Sequence, residues 1–159
     1  MNDRERHRQF IERLDRSRPA TFRAAEWLHK KGYNITIPAI QYRPFEEAPD
    51  KYLDSGDMFI EKDGKTYRVE IKHSGYDFTD KNSWKFKSML VSNKAAVERN
   101  KDSIGYIIIN KPMTHMAIIW NKTRNYWFEE AKFASNTQKV EQFYLCPLEY
   151  IDFRNMAND

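Results

Sequence analysis

A single cysteine in 159 residues, Cys146, leaves no intramolecular disulfide framework and no cysteine-cluster zinc site. Held in FYLCPL, it reads as a small buried apolar residue rather than a nucleophile. No apolar run approaches the roughly 18 residues of a membrane-spanning helix. The opening MNDRERHRQF carries no apolar signal segment, so a cytoplasmic protein is expected. With five glycines and six prolines there is no low-complexity linker, and no internal repeat is visible. Aromatic residues make up 14% of the chain, which argues against disorder and for one domain over 1–159 with a substantial core. Neither a zinc-finger nor a helix-turn-helix pattern is present.

Net charge is only +4, but it is unevenly spread. Residues 32–80 hold six basic against ten acidic side chains, whereas residues 81–124 hold nine against two. Residues 1–31 are also basic, with nine against five. An acidic centre between basic flanks suits phosphodiester chemistry; the plainer reading is a set of solvated faces.

The most informative stretch is 57–72, DMFIEKDGKTYRVEIK, preceded by Gly56. Asp63-Gly64 is a strong two-residue turn signal, because both central positions of a type I′ turn need positive φ. Counting outward from that turn places Lys62 opposite Lys65, Glu61 opposite Thr66, Phe59 opposite Arg68 and Asp57 opposite Glu70. Side chains alternate between faces, so Met58, Ile60, Tyr67, Val69 and Ile71 form the expected core side. Asp57, Glu70 and Lys72 share the other, polar side. Opposed residues of an antiparallel pair lie only about 5 Å apart. Two carboxylates so placed repel, and a shared Mg2+ or Mn2+ is one reason to bring them together. The lysine two residues on would stand beside that metal and a phosphate. In a chain that is 31% charged, Glu-x-Lys alone arises often by chance; hairpin register and the common face are what single it out.

Asp57 at the start of one strand, followed by Glu70-Ile71-Lys72 on the next, resembles the PD-(D/E)XK nuclease superfamily. Pro49-Asp50 matches the literal Pro-Asp, but only Asp57 falls opposite Glu70, with Gly56 standing where the proline would be. The resemblance implies an α/β fold with a restriction-endonuclease-like αβββαβ core, covering about residues 20–110. Its central sheet would be mixed and flanked by helices, with an N-terminal helix and a C-terminal elaboration added. It also implies metal ligation by Asp57, Glu70 and the main-chain carbonyl of Ile71, with a further acid from the preceding helix. Glu26 is the only acidic residue of that helix, and the carry-over lands there; the alternative is a surface glutamate paired with Lys30 at i,i+4. Lys72 would orient or help deprotonate the attacking water and offset charge in the transition state.

The remaining elements are read from periodicity and punctuation. Helices are predicted over 3–16 and 20–31, separated by Ser17-Arg18-Pro19. In the first, five arginines surround an apolar stripe, either a phosphate-contacting arm or a solvated face. The second buries Ala24, Ala25 and Leu28. Residues 33–40 read as a strand. The loop of residues 41–55, rich in proline and acid, holds Glu46, Glu47, Asp50 and Asp54. Residues 73–87 interleave Tyr76, Phe78, Trp84 and Phe86 with Lys81, Lys85 and Lys87, a composition that suits a nucleic-acid-facing loop, although Trp84 and Phe86 are equally compatible with core. Residues 92–101 read as a helix capped by Ser92, and the resemblance makes Lys94 a further nucleic-acid contact. Residues 104–110 form a continuous apolar strand suited to burial on both faces, followed by a strand over 115–120. NYWFEEAKFASN reads as a strand passing into a helix, and the tail as frayed.

The function these features imply is a metal-dependent nuclease hydrolysing phosphodiester bonds, with DNA favoured over RNA and endonuclease over exonuclease. A homodimer, one site per strand of a duplex, is compatible with it. Two alternatives stay open: a non-cleaving nucleic-acid- or protein-binding module, and a subunit active only with a partner that supplies recognition.

Overall fold

The N-terminal 28 residues that are helical form one uninterrupted rod, α1 (Asp3–Lys30). The structure is a computed structural model that describes residues 2–38, 57–135 and 137–157, the side chains of Phe10 and Leu14 aside. The predicted break at 17–19 is therefore corrected: Pro19 lies inside the helix. An internal proline removes one hydrogen bond and crowds the preceding turn, at about 3 kcal/mol. Flanking interactions offset it. The Asn2 side chain caps the first turn by accepting from the Glu5 N–H. Arg6–Asp3, Arg8–Glu5, Arg16–Glu12 and Arg18–Asp15 pair along the exposed side. Thr21 returns its hydroxyl to the Ser17 carbonyl, and Ala20, Ala24 and Leu28 pack into the core just beyond the proline. Several of the arginines considered as a phosphate-contacting arm are thus paired to helix carboxylates.

Three antiparallel strands follow: β1 (Asn34–Thr36), β2 (Met58–Lys62) and β3 (Lys65–His73). β1 is shorter than the predicted strand. The acidic loop of residues 41–55 and Gly56 lie outside the described residues. The β2–β3 turn has Asp63 at φ 53 and Gly64 at φ 74, and the register is Lys62↔Lys65, Glu61↔Thr66, Phe59↔Arg68 and Met58↔Val69, as the turn count predicts.

After β3 the chain makes a strand that was not predicted, β4 (Ser88–Asn93), before the short helix α2 (Lys94–Arg99). The helix cap is Asn93, whose side-chain carbonyl accepts from the Ala96 N–H; Ser92 still belongs to the strand. β5 (Ser103–Ile109) and β6 (His115–Trp120) form an antiparallel pair. Residues 121–159 hold no described α-helix. Instead, β7 (Phe128–Ala134) and β8 (Lys139–Pro147) make a hairpin, and β9 (Asp152–Asn155) pairs with β6, so the tail is tied down as far as Asn155.

The result is a mixed α/β protein. Among the described residues its central sheet has six strands, in the order β1-β2-β3-β5-β6-β9, with one parallel pair, β3 with β5. A second sheet, β4-β8-β7, is antiparallel. Alternation along β5 and β6 defines three layers. Ile107, Ile109, Met116 and Ile118 join Ala20, Ala24 and Leu28 on the α1 side. Tyr106, Ile108, Ala117 and Ile119 join Met89, Val91, Val97 and Cys146 on the side of the small sheet. No described helix is long and apolar enough to cross a membrane.

Val69 and Ile71 lie on the core side of β3, as predicted, in the cluster that includes α1, and the polar face opposite them is covered as well. The second sheet and the second apolar cluster lie on that side, and Glu70 is 7% exposed.

Candidate active site

Asp57 stands immediately before β2, one step beyond the Met58↔Val69 pair, which brings it beside Glu70. Its Oδ2 accepts the Ile71 main-chain N–H at 2.7 Å, a charge-assisted bond that fixes the carboxylate against the end of β3. On the parallel side, Glu70 is in register with Tyr106 and Lys72 with Ile108. A register shift between Arg68 and Val69 places Ser103 opposite Arg68 and Gly105 opposite Val69. The Ser103 hydroxyl thereby reaches Glu70 Oε1 at 3.3 Å.

Glu70 is also ion-paired. Arg68 Nε donates to the same Oε1 at 2.9 Å, and the two side chains are 11% and 9% exposed. Arg68 Nη1 lies 3.7 Å from Asp102, and Nη2 is buried without a hydrogen-bond partner among the described residues. Sequence reading passed over Arg68. Alternation does put residues two apart on one strand face, so an Arg-x-Glu pair was there to be found.

Lys72 completes the group. The side chain is half-buried, and that burial lowers its pKa from the ordinary 10.5 to about 8. The negative charges of Asp57 and then Glu70 oppose that shift, so both carboxylates act on the ammonium. Its Nζ also lies 5.9 Å from the centre of the Tyr106 ring. Burial, with a smaller contribution from the Glu70 charge, raises the Tyr106 phenol to about 12.

Glu26 is not gathered with these groups. It is exposed on α1 and accepts from Lys30 at 3.0 Å and Arg23 at 3.1 Å. The Lys30 hydrogen bond and charge, with Arg23, lower its pKa. This is the surface-pair arrangement weighed as the alternative for Glu26. Among the described residues, no three His, Cys, Asp or Glu side chains come together as a metal-holding group. Lys94, at the start of α2, pairs with Glu129 of β7 at 2.7 Å, which raises its pKa.

The 74–87 loop forms a wall next to Lys72. Tyr76, Trp84 and Phe86 meet edge to face in a triangle with centroids 5.5–5.6 Å apart. Phe78 is buried and packs against Trp84 and Phe153, anchoring the wall to the second core. Asn110, also fully buried, ties the loop down by donating to the Phe78 carbonyl at 2.9 Å and Asp77 at 3.1 Å. The same side chain accepts from the Thr114 and His115 N–H groups. Lys81, Lys85 and Lys87 are exposed on this loop, with the Lys85 ammonium 4.3 Å from the Tyr76 ring centre and 4.9 Å from that of Phe86.

Between the end of β3, this loop and the small sheet lies a cavity of about 600 Å³. Lys72 and Ile108 line it from the central sheet, the aromatic triangle and Lys87 from the loop, and Met89, Glu130, Lys132 and Leu145 from the small sheet. The lysine of the Asp57–Glu70 group is therefore also part of the wall of a chamber able to hold a small organic group.

No known family matches the chain. No curated protein matches it either. Among solved structures, a bacterial homing endonuclease superposes on 80% of this chain and 70% of its own, at 13% identity and a TM-score of 0.43, too slight a likeness to assign the fold.

Proposed function

We propose that this protein is a metal-dependent nuclease on a restriction-endonuclease-like core, hydrolysing phosphodiester bonds of nucleic acid, DNA in the first instance. The observation that carries this reading is the position of Lys72. Its ammonium is acted on by the Asp57 and Glu70 charges and also borders the cavity, so a phosphate entering the cavity would meet it.

The donor set fits a hard divalent cation in type. Asp57 and Glu70 offer carboxylate oxygens, and Mg2+ commonly takes one or two protein carboxylates and keeps several waters, so the pair fits without a third acid from the described residues. Glu26, held by Lys30 and Arg23, is not needed in this arrangement. When bound, such an ion supplies an acidified water and neutralises charge on the scissile phosphate.

The chain's own groups then have distinct tasks. Asp57 is aligned by the Ile71 N–H, and Glu70 by Arg68 and Ser103, so neither carboxylate has to be ordered when substrate arrives. Lys72 is held where burial brings its proton loss to about pH 8. At neutral pH its Nζ is mostly charged, and it stabilises the developing negative phosphate oxygen. The minor neutral fraction can accept a proton from water, so one residue serves either step of the hydrolysis. The exposed Lys81, Lys85 and Lys87 supply counter-charge for the flanking backbone.

The test is cleavage of circular single-stranded and supercoiled double-stranded DNA with Mg2+, with Mn2+ and with EDTA, beside Asp57→Asn and Lys72→Ala. Metal-dependent cutting that both substitutions abolish is the expected result. No cutting of either circle, together with no Mg2+ or Mn2+ binding by calorimetry, overturns the reading. A second reading, a non-cleaving nucleic-acid-binding module, draws on one observation: Glu70 is already neutralised by Arg68. Nucleic-acid binding without metal binding would select it.

A further inference from the structure

Three aromatic rings, two of them half-open, border a chamber whose remaining surface is partly apolar and partly basic. Tyr76 and Phe86 are 45% and 46% exposed although each packs against Trp84 and against the other. Met89, Ile108 and Leu145 give the chamber apolar lining. Lys72 and Lys87 supply positive charge, while Lys132 is paired with Glu130 at 3.6 Å. Backbone phosphate gains nothing from an apolar, ring-lined recess, whereas the flat face of a nucleobase does. The lysines then serve the phosphates on either side of that base.

From this arrangement we infer that the cavity takes a single unstacked nucleobase, and that the substrate is nucleic acid with an unpaired or opened segment rather than a continuous duplex. The assignment of the adjoining phosphate to Lys72 rests on the hydrolytic reading above; the seating of the base does not. In an intact duplex the base faces are covered by neighbouring pairs, and only an unpaired or extruded base can present its face to Tyr76, Trp84 or Phe86. The wall is ordered in advance. Phe78 is buried behind it, Asn110 holds the Phe78 carbonyl, and the Ser83 hydroxyl accepts from the Thr79 and Asp80 N–H groups. Little conformational freedom is left to be lost on binding, which favours affinity from a small contact. The Lys85 ammonium, resting against the Tyr76 and Phe86 rings, adds a positive charge on the loop that carries them.

The test is equilibrium binding in EDTA, so that no hydrolysis occurs, using a fluorescein-labelled oligothymidylate of twelve residues and a blunt duplex of the same length. The single strand is expected to bind at least tenfold more tightly and to quench tryptophan fluorescence. Phe86→Ala and Tyr76→Ala should each weaken the single strand by about tenfold, the size of one lost base–ring stack, and move duplex binding less than twofold. Phe86→Leu keeps apolar volume without a ring and guards against a folding defect; it should lose as much as the alanine variant. Equal binding of the two forms, no binding of either, or single-strand binding unchanged in Phe86→Leu and Tyr76→Ala would overturn the inference. The two proposals fail separately. Single-strand binding with no cleavage under any metal leaves this inference standing without the hydrolysis, and duplex cleavage indifferent to Phe86→Leu does the reverse.

Discussion

Replacing Arg68 by methionine should destabilise the protein by about 3–5 kcal/mol, the usual consequence of stripping one partner from a buried ion pair. The structure places the pair in that regime. Arg68 and Glu70 are 11% and 9% exposed and joined at 2.9 Å, and among the described residues the carboxylate's further hydrogen-bond donor is the Ser103 hydroxyl. The Lys72 charge would still act on Glu70, which pulls the expected value toward the lower end. Glu70→Leu should cost a similar amount by leaving Arg68 with Asp102 at 3.7 Å as its remaining acid among the described residues. The double variant Arg68→Met/Glu70→Leu should recover most of the loss, since an apolar pair of similar volume can replace a buried ion pair at little cost. Urea denaturation of all four proteins, in EDTA, gives the cycle directly. A coupling energy above about 2 kcal/mol is expected; additive single variants, coupled by less than about 0.5 kcal/mol, would refute the buried pair. Removing Glu70 perturbs folding as well as chemistry, so Asp57→Asn, which retains an acceptor for the Ile71 N–H, is the cleaner test of catalysis.

Three further outcomes are expected. Because the Lys72 pKa is lowered from 10.5 to about 8, the unfolded chain holds a proton that the folded chain has lost between those values; stability should therefore rise with pH across that window, by up to about 3 kcal/mol. Urea midpoints from pH 7.5 to 10 in EDTA should show that rise in the native protein and its loss in Lys72→Met. Gly105→Ala would put a Cβ 2.9 Å from the Ile119 carbonyl oxygen in the neighbouring strand, and thermal unfolding should reveal a loss of about 1–3 kcal/mol from the forced displacement. Asn110→Ala removes the link between the aromatic loop and the β5–β6 turn; hydrogen exchange at Phe78 and Thr79 should accelerate while amides of β5 stay protected, and unchanged exchange would show that the loop is held by its rings alone.

What could be read in advance was what local rules determine. The Asp63-Gly64 turn sets the register, and period-two alternation then assigns every residue of β2 and β3 to a face. β5 and β6 were legible as apolar runs. Errors arose where distant chain decides the outcome. Pro19 signals a break locally, but core packing of Ala20, Ala24 and Leu28 holds the helix through it. β7, with Glu129, Glu130 and Lys132 in seven residues and exposed nearly throughout, has no strand-like hydrophobic pattern and exists because β8 pairs with it. The identity of the Asp57, Glu70 and Lys72 face was readable, but not its burial. What covers it comes from β4 and β8, and no count along β3 anticipates that. Arg68 could have been found from the same alternation that singled out Glu70.

The small sheet also bears on how the chain is made. β4 finds its partner in β8, so Met89 waits for Cys146 and Asn93 for Phe143. During vectorial synthesis, β4 leaves the ribosome with an open edge and stays unmatched through the translation of some 50 further residues, a few seconds at ordinary elongation speeds. Met89 and Val91, buried in the finished fold, are uncovered for that interval. A nascent chain stalled before β8 should therefore recruit hold-type chaperones, and release from them should coincide with emergence of residues 139–147.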